Sequence, residues 1–359
     1  MNNFPKEMKA AVIREHGGPE VIRMETVPVP QLQPNEALIK VKYTALNHLD
    51  IFAREGLKGP GVPKITLPHV SGVDIVGEVI AYGSAKGGGR EDLPELNTRV
   101  LVNSAFGCGT CRYCRNAEPS MCKNYKIVGE HLWGGLAEYV KVPAQNIIEI
   151  PEHVSSVKAA AVPAVYTTAW RGAVTVGRIK PSDTVLVVGA SGGLGSAQMQ
   201  IAVLMGAEVI AIVGNEEKRQ KALAMGASEA FYSHENWLEK VMDWTNGYGV
   251  QLALDCVGVK TIRNSLNALD QGGKLILSGA TSGDFPDISI REIYQHHRKI
   301  LGAPMGNWED FLQVTSLVFR GKLDPVIHKV YPLNELGDAQ EALAKRSHFG
   351  KIVIEIDPS

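Results

Sequence analysis

The run VLVVGASGGLGSAQMQIA, residues 185–202, restricts the fold of this chain more than any other stretch. Val185–Val188 reads as a buried strand and Ala197–Met205 as a helix, joined by a glycine-rich turn. Ala190, Gly192 and Gly195 take the three small positions of G-x-G-x-x-G, with Gly193 and Leu194 opening the helix. Such a turn lets backbone approach a pyrophosphate, and the helix N-terminus supplies free N–H groups and a positive dipole end. In this strand–turn–helix context the motif predicts dinucleotide binding. Strands and helices keep alternating: Val209–Val213, Glu217–Met225, Leu252–Val257 and Lys274–Ser278, with Gly279 expected at the cofactor after the last. The pattern is that of a doubly wound parallel sheet, an α/β Rossmann domain.

The tip of the second strand bears on which dinucleotide. A carboxylate there would accept from a ribose 2′-hydroxyl, and it would repel a 2′-phosphate. This strand ends Ala211-Ile212-Val213-Gly214-Asn215, without an acid, which favours NADP(H) over NAD(H). Gly214 and Asn215 would flank the phosphate, and Lys218 and Arg219 follow within one turn to meet it.

A second feature is GCGTCRYCRNAEPSMCKN, which sets Cys108, Cys111, Cys114 and Cys122 in C-x2-C-x2-C-x7-C spacing. Four thiolates close a tetrahedral shell around zinc, leaving no open position, so this metal, one per chain, is expected to be structural. Disulfides are disfavoured, since MNNFPKEMKAAVIREHGG carries no basic n-region followed by an apolar run. A ferredoxin-type cluster expects C-x3-C-P at the end, where seven residues and then Lys123 stand here. A nucleic-acid ribbon expects a basic domain, whereas the formal net charge is −1.

The remainder is consistent with a two-domain enzyme. At 359 residues the chain exceeds one core. No apolar run approaches membrane-spanning length, so neither membrane nor nucleic acid is an expected partner, and the cytoplasm is the expected location. Before residue 160, short apolar runs broken by Pro and Gly (Ala10–Ile13, Ala37–Tyr43, Gly72–Ile80, Arg99–Val102, Ala137–Val142, Ile147–Ile150) suggest a β-rich barrel-like domain. Ala85–Pro94 reads as an exposed loop. Near the end, Trp308–Phe319 and Glu335–Lys345 read as helices, the latter N-capped by Asn334, and Lys351–Ile356 as a strand.

With MKAAVIREHGGPEVI, the cysteine lobe, GGLAEYVKVP, the glycine turn and HFGKIVIEI in view, the chain resembles the medium-chain dehydrogenase/reductase superfamily over nearly its full length. It looks most like a quinone oxidoreductase-type branch that keeps the structural zinc lobe of the zinc alcohol dehydrogenases. The resemblance implies a GroES-like domain, residues 1–163 and 305–359 with the lobe at about 106–124, and a nucleotide domain at 164–304. It also implies a homodimer or homotetramer. The family's catalytic-zinc ligands fall on Asn47, Val73 and Ala164, and its relay hydroxyl on Leu49; valine and alanine offer no donor atom. His69 lies outside that motif, and the tyrosine of the enoyl-thioester reductases falls on Lys58.

Catalytic roles are then expected for Asn47, beside the nicotinamide and donating to a substrate oxygen or orienting the ring, with bracing of its loop against the barrel as the alternative, and for Asp50. His48 and Asp50 would share a face if extended. His48, His131, Trp133 and Tyr166 are expected to wall a small-molecule pocket, with Thr168 on the nicotinamide. The implied activity is NADP(H)-dependent hydride transfer to a quinone, enone or carbonyl without catalytic zinc. Its alternatives are a zinc-type alcohol dehydrogenase with atypical ligands and a nucleotide-binding structural or regulatory protein of low activity.

Overall fold

The computed structural model describes residues 4–59, 61–83 and 92–357, so 85–91 of the expected loop Ala85–Pro94 lie outside the described residues. The chain divides into two compact units, Met1–Ala164 with Pro325–Ser359, and Val165–Asp324.

The first unit is built on a seven-stranded sheet. Its path runs Ile327–Pro332, Lys351–Glu355, Glu36–Ala45, Asp74–Tyr82, Arg99–Val102 and Ile147–Glu149, with Tyr139–Pro143 also paired to Glu36–Ala45. All pairs are antiparallel except Ile327–Pro332 with Lys351–Glu355. The C-terminal strand thus enters the middle of the unit, pairing Val353 with Ala45 and Ile354 with Thr44. A separate hairpin joins Glu7–Ile13 to Ile22–Pro28. Leu38, Ile39, Val41, Ile75, Val79, Val100, Val102, Ile352 and Ile354 are buried in its core. Asn334 was expected to cap the last helix; it lies inside a 3-10 turn, Leu333–Glu335, and Glu335 takes the cap before Leu336–Ala344.

The second unit carries six parallel strands in the order Glu229–Tyr232, Glu208–Val213, Thr184–Val188, Val250–Asp255, Leu269–Leu277, Lys299–Gly302. The order reverses beside Thr184–Val188, the switch point at which such sheets bind ligands beyond their carboxyl ends. Val185–Val188 are at most 1% exposed, as a strand covered on both faces requires.

Residues 305–324 were expected with the first domain but belong to the second unit. The helix Trp308–Phe319 is held there by polar bonds to the helix Pro163–Trp170 and its π-helical continuation Arg171–Val176. Arg171 Nη1 lies 3.0 Å from Asp310 Oδ2 with both side chains buried, Thr175 donates to Asp310, and Trp170 Nε1 donates to Gln313 Oε1 at 2.9 Å. Among the described residues no helix is long and apolar enough to cross a membrane.

Candidate functional site

The cysteine lobe leaves the first sheet on a two-stranded ladder, Ala105–Phe106 with Lys126–Ile127. The four Sγ atoms lie within 4.8 Å of one another, and Cys111 Sγ is 3.6 Å from Cys114 Sγ. A tetrahedral zinc with Zn–S bonds near 2.3 Å separates its sulfurs by about 3.8 Å, so the residues fit that ion. Backbone N–H groups of Cys108 and Asn124 donate to Cys122 Sγ at 3.4 and 3.3 Å, and that of Cys111 to Cys108 Sγ at 3.4 Å. Bonds from the Thr110 hydroxyl and amide and from the Cys111 amide hold the Cys108 thiol down at about 6, favouring the thiolate a metal needs. Among the described residues this is the only group of three or more His, Cys, Asp or Glu arranged to hold a metal.

The positions of the family's catalytic-zinc ligands converge, but on a carboxylate. Asp74, fully buried and adjacent to Val73, accepts from Ala164 N at 2.7 Å, Asn47 Nδ2 at 3.0 Å and Lys351 Nζ at 2.9 Å. Lys351, 3% exposed, also donates to Leu46 O and to Asn47 Oδ1, both at 2.7 Å. An ammonium is therefore fixed beside these three positions with three acceptors for its three protons. Lys351 was not among the expected site residues. The only sequence signal was a cation inside the buried run KIVIEI.

This arrangement changes the reading of Asn47 and Asp50. The second proton of Asn47 Nδ2 goes to Ala45 O at 3.2 Å, so the amide expected to serve a substrate oxygen is committed within the unit. Asp50 is fully buried; it accepts from Asn47 N at 2.7 Å and Gly72 N at 2.9 Å, capping the helix His48–Glu55. Gly72 itself must lack a side chain: at φ +105° a Cβ would stand 2.6 Å from Leu136 N. Burial raises Asp50 to about 6, opposed by those two N–H bonds. His48 and Asp50 sit on a helix, not a strand, so they do not share a face. Burial, with help from Arg346 and Lys351, lowers His48 to about 4 and keeps it neutral.

The expected pocket residues divide between the units, His48, His131 and Trp133 in the first and Tyr166 in the second. His131 Nδ1 accepts from Ile127 N at 3.1 Å, and burial lowers its pKa. Trp133 is half-buried, with Nε1 donating to Pro68 O at 2.9 Å. Tyr166 belongs to the second unit and is 1% exposed; its hydroxyl accepts from Gln200 Nε2 at 3.0 Å, and burial holds it neutral. A phenol so enclosed and bonded does not line a pocket, which corrects its assignment.

The nucleotide turn follows the reasoning from its glycines. The helix runs Gly193–Leu204 with Gly192 as N-cap, and its first-turn amides, Gly193 and Leu194 included, have no i−4 carbonyl in the helix. A Cβ on Gly195 would lie 2.2 Å from Gly189 O, so close packing demands that glycine. At Gly192 the nearest atom would be 3.5 Å away, and at Gly214 nothing lies within 4 Å. Neither of these two has positive φ. Neither close packing nor backbone conformation requires a glycine at these two positions, and the space beside them is open. Ala190 N donates to Ile212 O at 3.1 Å, tying the turn to the second strand.

Asn215 caps the next helix, its side chain accepting from Lys218 N at 3.0 Å. Arg219, expected at the 2′-phosphate, is turned away: Nε donates to Ala230 O and Nη2 to Glu229 Oε1, both at 2.9 Å. Thr168 is buried, with Oγ1 3.8 Å from Met305 Sδ. Gly279 is exposed beside Cys256 O.

Residues 33–152 match the alcohol dehydrogenase GroES-like domain, and residues 193–320 match the zinc-binding dehydrogenase family. The chain belongs to the medium-chain dehydrogenase/reductase superfamily. It is 32% identical to an NAD-dependent alcohol dehydrogenase of Sulfolobus acidocaldarius, over 97% of this chain and all of that one. It is 28% identical to a quinone oxidoreductase of Pongo abelii, over 97% of this chain and 98% of that protein. A crystal structure of an NAD-dependent alcohol dehydrogenase matches with a TM-score of 0.90 at 36% identity, covering 98% of this chain and 100% of that one. The chain is thus an enzyme of this superfamily with its GroES-like and Rossmann domains and a zinc-type cysteine lobe.

Proposed function

We propose that this enzyme transfers hydride from NADPH to an activated small-molecule acceptor, a quinone, enone or carbonyl, without a catalytic zinc. The observation that carries the reading is the Asp74 cluster. Two of the three superfamily ligand positions, Val73 and Ala164, have no donor atom, and the third, Asn47, is bonded to Asp74 and Lys351. A metal-free site has no Lewis acid to draw a proton from a simple alcohol, whereas a conjugated acceptor can carry the developing charge itself.

In this reading, the amides of the Gly192–Leu194 turn hold the pyrophosphate and the open space at Gly214 receives the 2′-phosphate. When bound, the reduced nicotinamide supplies the hydride. The chain's own residues bind and orient. Asn47 and Asp50 hold the start of the helix His48–Glu55 and the Gly72 backbone in place. The reading includes a homodimer or homotetramer in the cytoplasm. The names of the alcohol dehydrogenase relatives keep simple alcohol oxidation as the second reading.

A panel assay tests it: oxidation of NADPH and NADH by quinones and enones, set against reduction of NADP⁺ and NAD⁺ by primary and secondary alcohols. Turnover of the acceptors with NADPH, with alcohols at least 100-fold poorer, is the expected outcome. Alcohol oxidation abolished by a chelator that leaves the fold intact would overturn it.

A further inference from the structure

We propose that Glu216 sets how far this enzyme prefers NADPH to NADH, by fixing a negative charge beside the space at Gly214. The inference lies within the second unit and rests on the reading above only for the place of the cofactor's 2′-phosphate.

The helix Glu216–Ala224 opens with two acids, and the fold sends them different ways. Glu217 reaches along the helix to Lys221, with Oε1 2.6 Å from Nζ. Glu216 turns back to the sheet: Oε2 accepts from the Tyr232 hydroxyl and Oε1 from Gln220 Nε2. Tyr232 is the register partner of Val213, the last residue of the second strand, and Ser233 N donates to Val213 O at 2.7 Å. The Tyr232 ring is stacked on His234, with centroids 5.3 Å apart and planes 14° from parallel. The hydroxyl that holds Glu216 is thus itself anchored next to the strand tip, where the adenosine ribose of a dinucleotide lies in sheets of this class. Gly214, two residues before Glu216, opens onto space with nothing within 4 Å of an added Cβ.

The charge is present at working pH. Bonds from Gln220 and then Tyr232 hold Glu216 below the usual carboxylate range. Arg219 adds a weaker attraction, but its guanidinium is already bonded to Glu229 Oε1 and Ala230 O, both at 2.9 Å. A ribose 2′-hydroxyl donates to a carboxylate within reach, whereas a 2′-phosphate meets it as a like charge. Glu216 does not stand at the strand tip itself, so it leaves room for the phosphate and acts on it through the field alone. Lys218 attracts the phosphate and Glu216 opposes it, and the preference for NADPH is tempered, not reversed. Tyr232 is a positioning residue in this scheme, since without its hydroxyl the carboxylate is free to turn to solvent.

Calorimetric titration of the full chain with NADPH, NADH, adenosine 2′,5′-bisphosphate and 5′-AMP tests this. Glu216→Gln, which keeps the shape and still accepts from Tyr232, should bind NADPH about 10-fold more tightly and NADH within about twofold of wild type. The bisphosphate should follow NADPH and 5′-AMP should follow NADH, which locates the effect at the 2′ position. Tyr232→Phe should raise the ratio of NADPH to NADH affinity about threefold, a readout that a purely structural role for the phenol leaves unmoved. An NADPH affinity unchanged in Glu216→Gln, or an equal change for both cofactors, overturns the proposal. An unmoved ratio in Tyr232→Phe overturns the positioning role. A wild type that binds NADPH no more tightly than NADH overturns the cofactor reading instead, and a gain of NADPH preference in Glu216→Gln then still upholds Glu216 as its determinant.

Discussion

Replacing Lys351 by Met removes the cation that, among the described residues, pairs with Asp74, and its cost can be worked from the contacts. Asp74 is fully buried and would keep two N–H donors, Asn47 Nδ2 and Ala164 N, but no counter-charge. Leaving one member of a buried pair uncompensated costs about 3–5 kcal/mol. Leu46 O and Asn47 Oδ1 lose their donor in the same substitution, which places the expected cost towards the upper end of that range. The double variant Lys351→Met with Asp74→Asn removes the charge as well, and should recover about 2 kcal/mol or more relative to the sum of the single changes. Tryptophan fluorescence is a poor probe here, because Trp133 is in the first unit and Trp170, Trp237, Trp244 and Trp308 are in the second. Amide hydrogen exchange in Lys351–Glu355 and Glu36–Ala45, which pair directly, reads the affected sheet. Protection in Lys351→Met within about 1 kcal/mol of wild type, or additive behaviour in the double variant, would refute a stabilising role for the pair.

Two further outcomes follow from the same geometry. Elemental analysis should find about one zinc per chain, and Cys111→Ser should lose it and loosen residues 105–127 while the rate per folded molecule stays within about threefold; two zincs or iron would contradict a closed tetrathiolate site. Gly214→Asp should shift preference from NADPH to NADH by about 10-fold or more, since the new carboxylate enters open space where the 2′-phosphate is read to lie, whereas Val213, 1% exposed, is the wrong place for that test; equal affinity for both cofactors in the unmodified protein would count against the assignment.

The parts legible in the sequence were those whose signal is local. Val185–Val188, Val209–Val213 and Trp308–Phe319 carry their periodicity within a few residues, and the four cysteines carry theirs in their spacing. The helix His48–Glu55 escaped notice because it spans only two turns, and Asn47, its cap, was read as a substrate ligand. What Asn47 does is decided by Asp74, 27 positions away, and by Lys351, 304 positions away.

The long-range contacts also alter what the missing ligands mean. Judged by residue type alone, Asn47, Val73 and Ala164 read as the erosion of a metal site. In the fold, the peptide N–H of Ala164, the amide of Asn47 and the residue after Val73 still meet at a single point, Asp74. An eroded site would leave that carboxylate buried without a cation, which is several kcal/mol unfavourable. Here the Lys351 ammonium, delivered by the C-terminal strand, neutralises it. The positive charge is thus supplied covalently by the chain, held by three acceptors within the first unit. A fixed ammonium whose protons are all engaged orders the site but has no vacant position for a substrate oxygen, unlike an open metal site. That difference is the physical reason to expect chemistry on acceptors that stabilise their own developing charge.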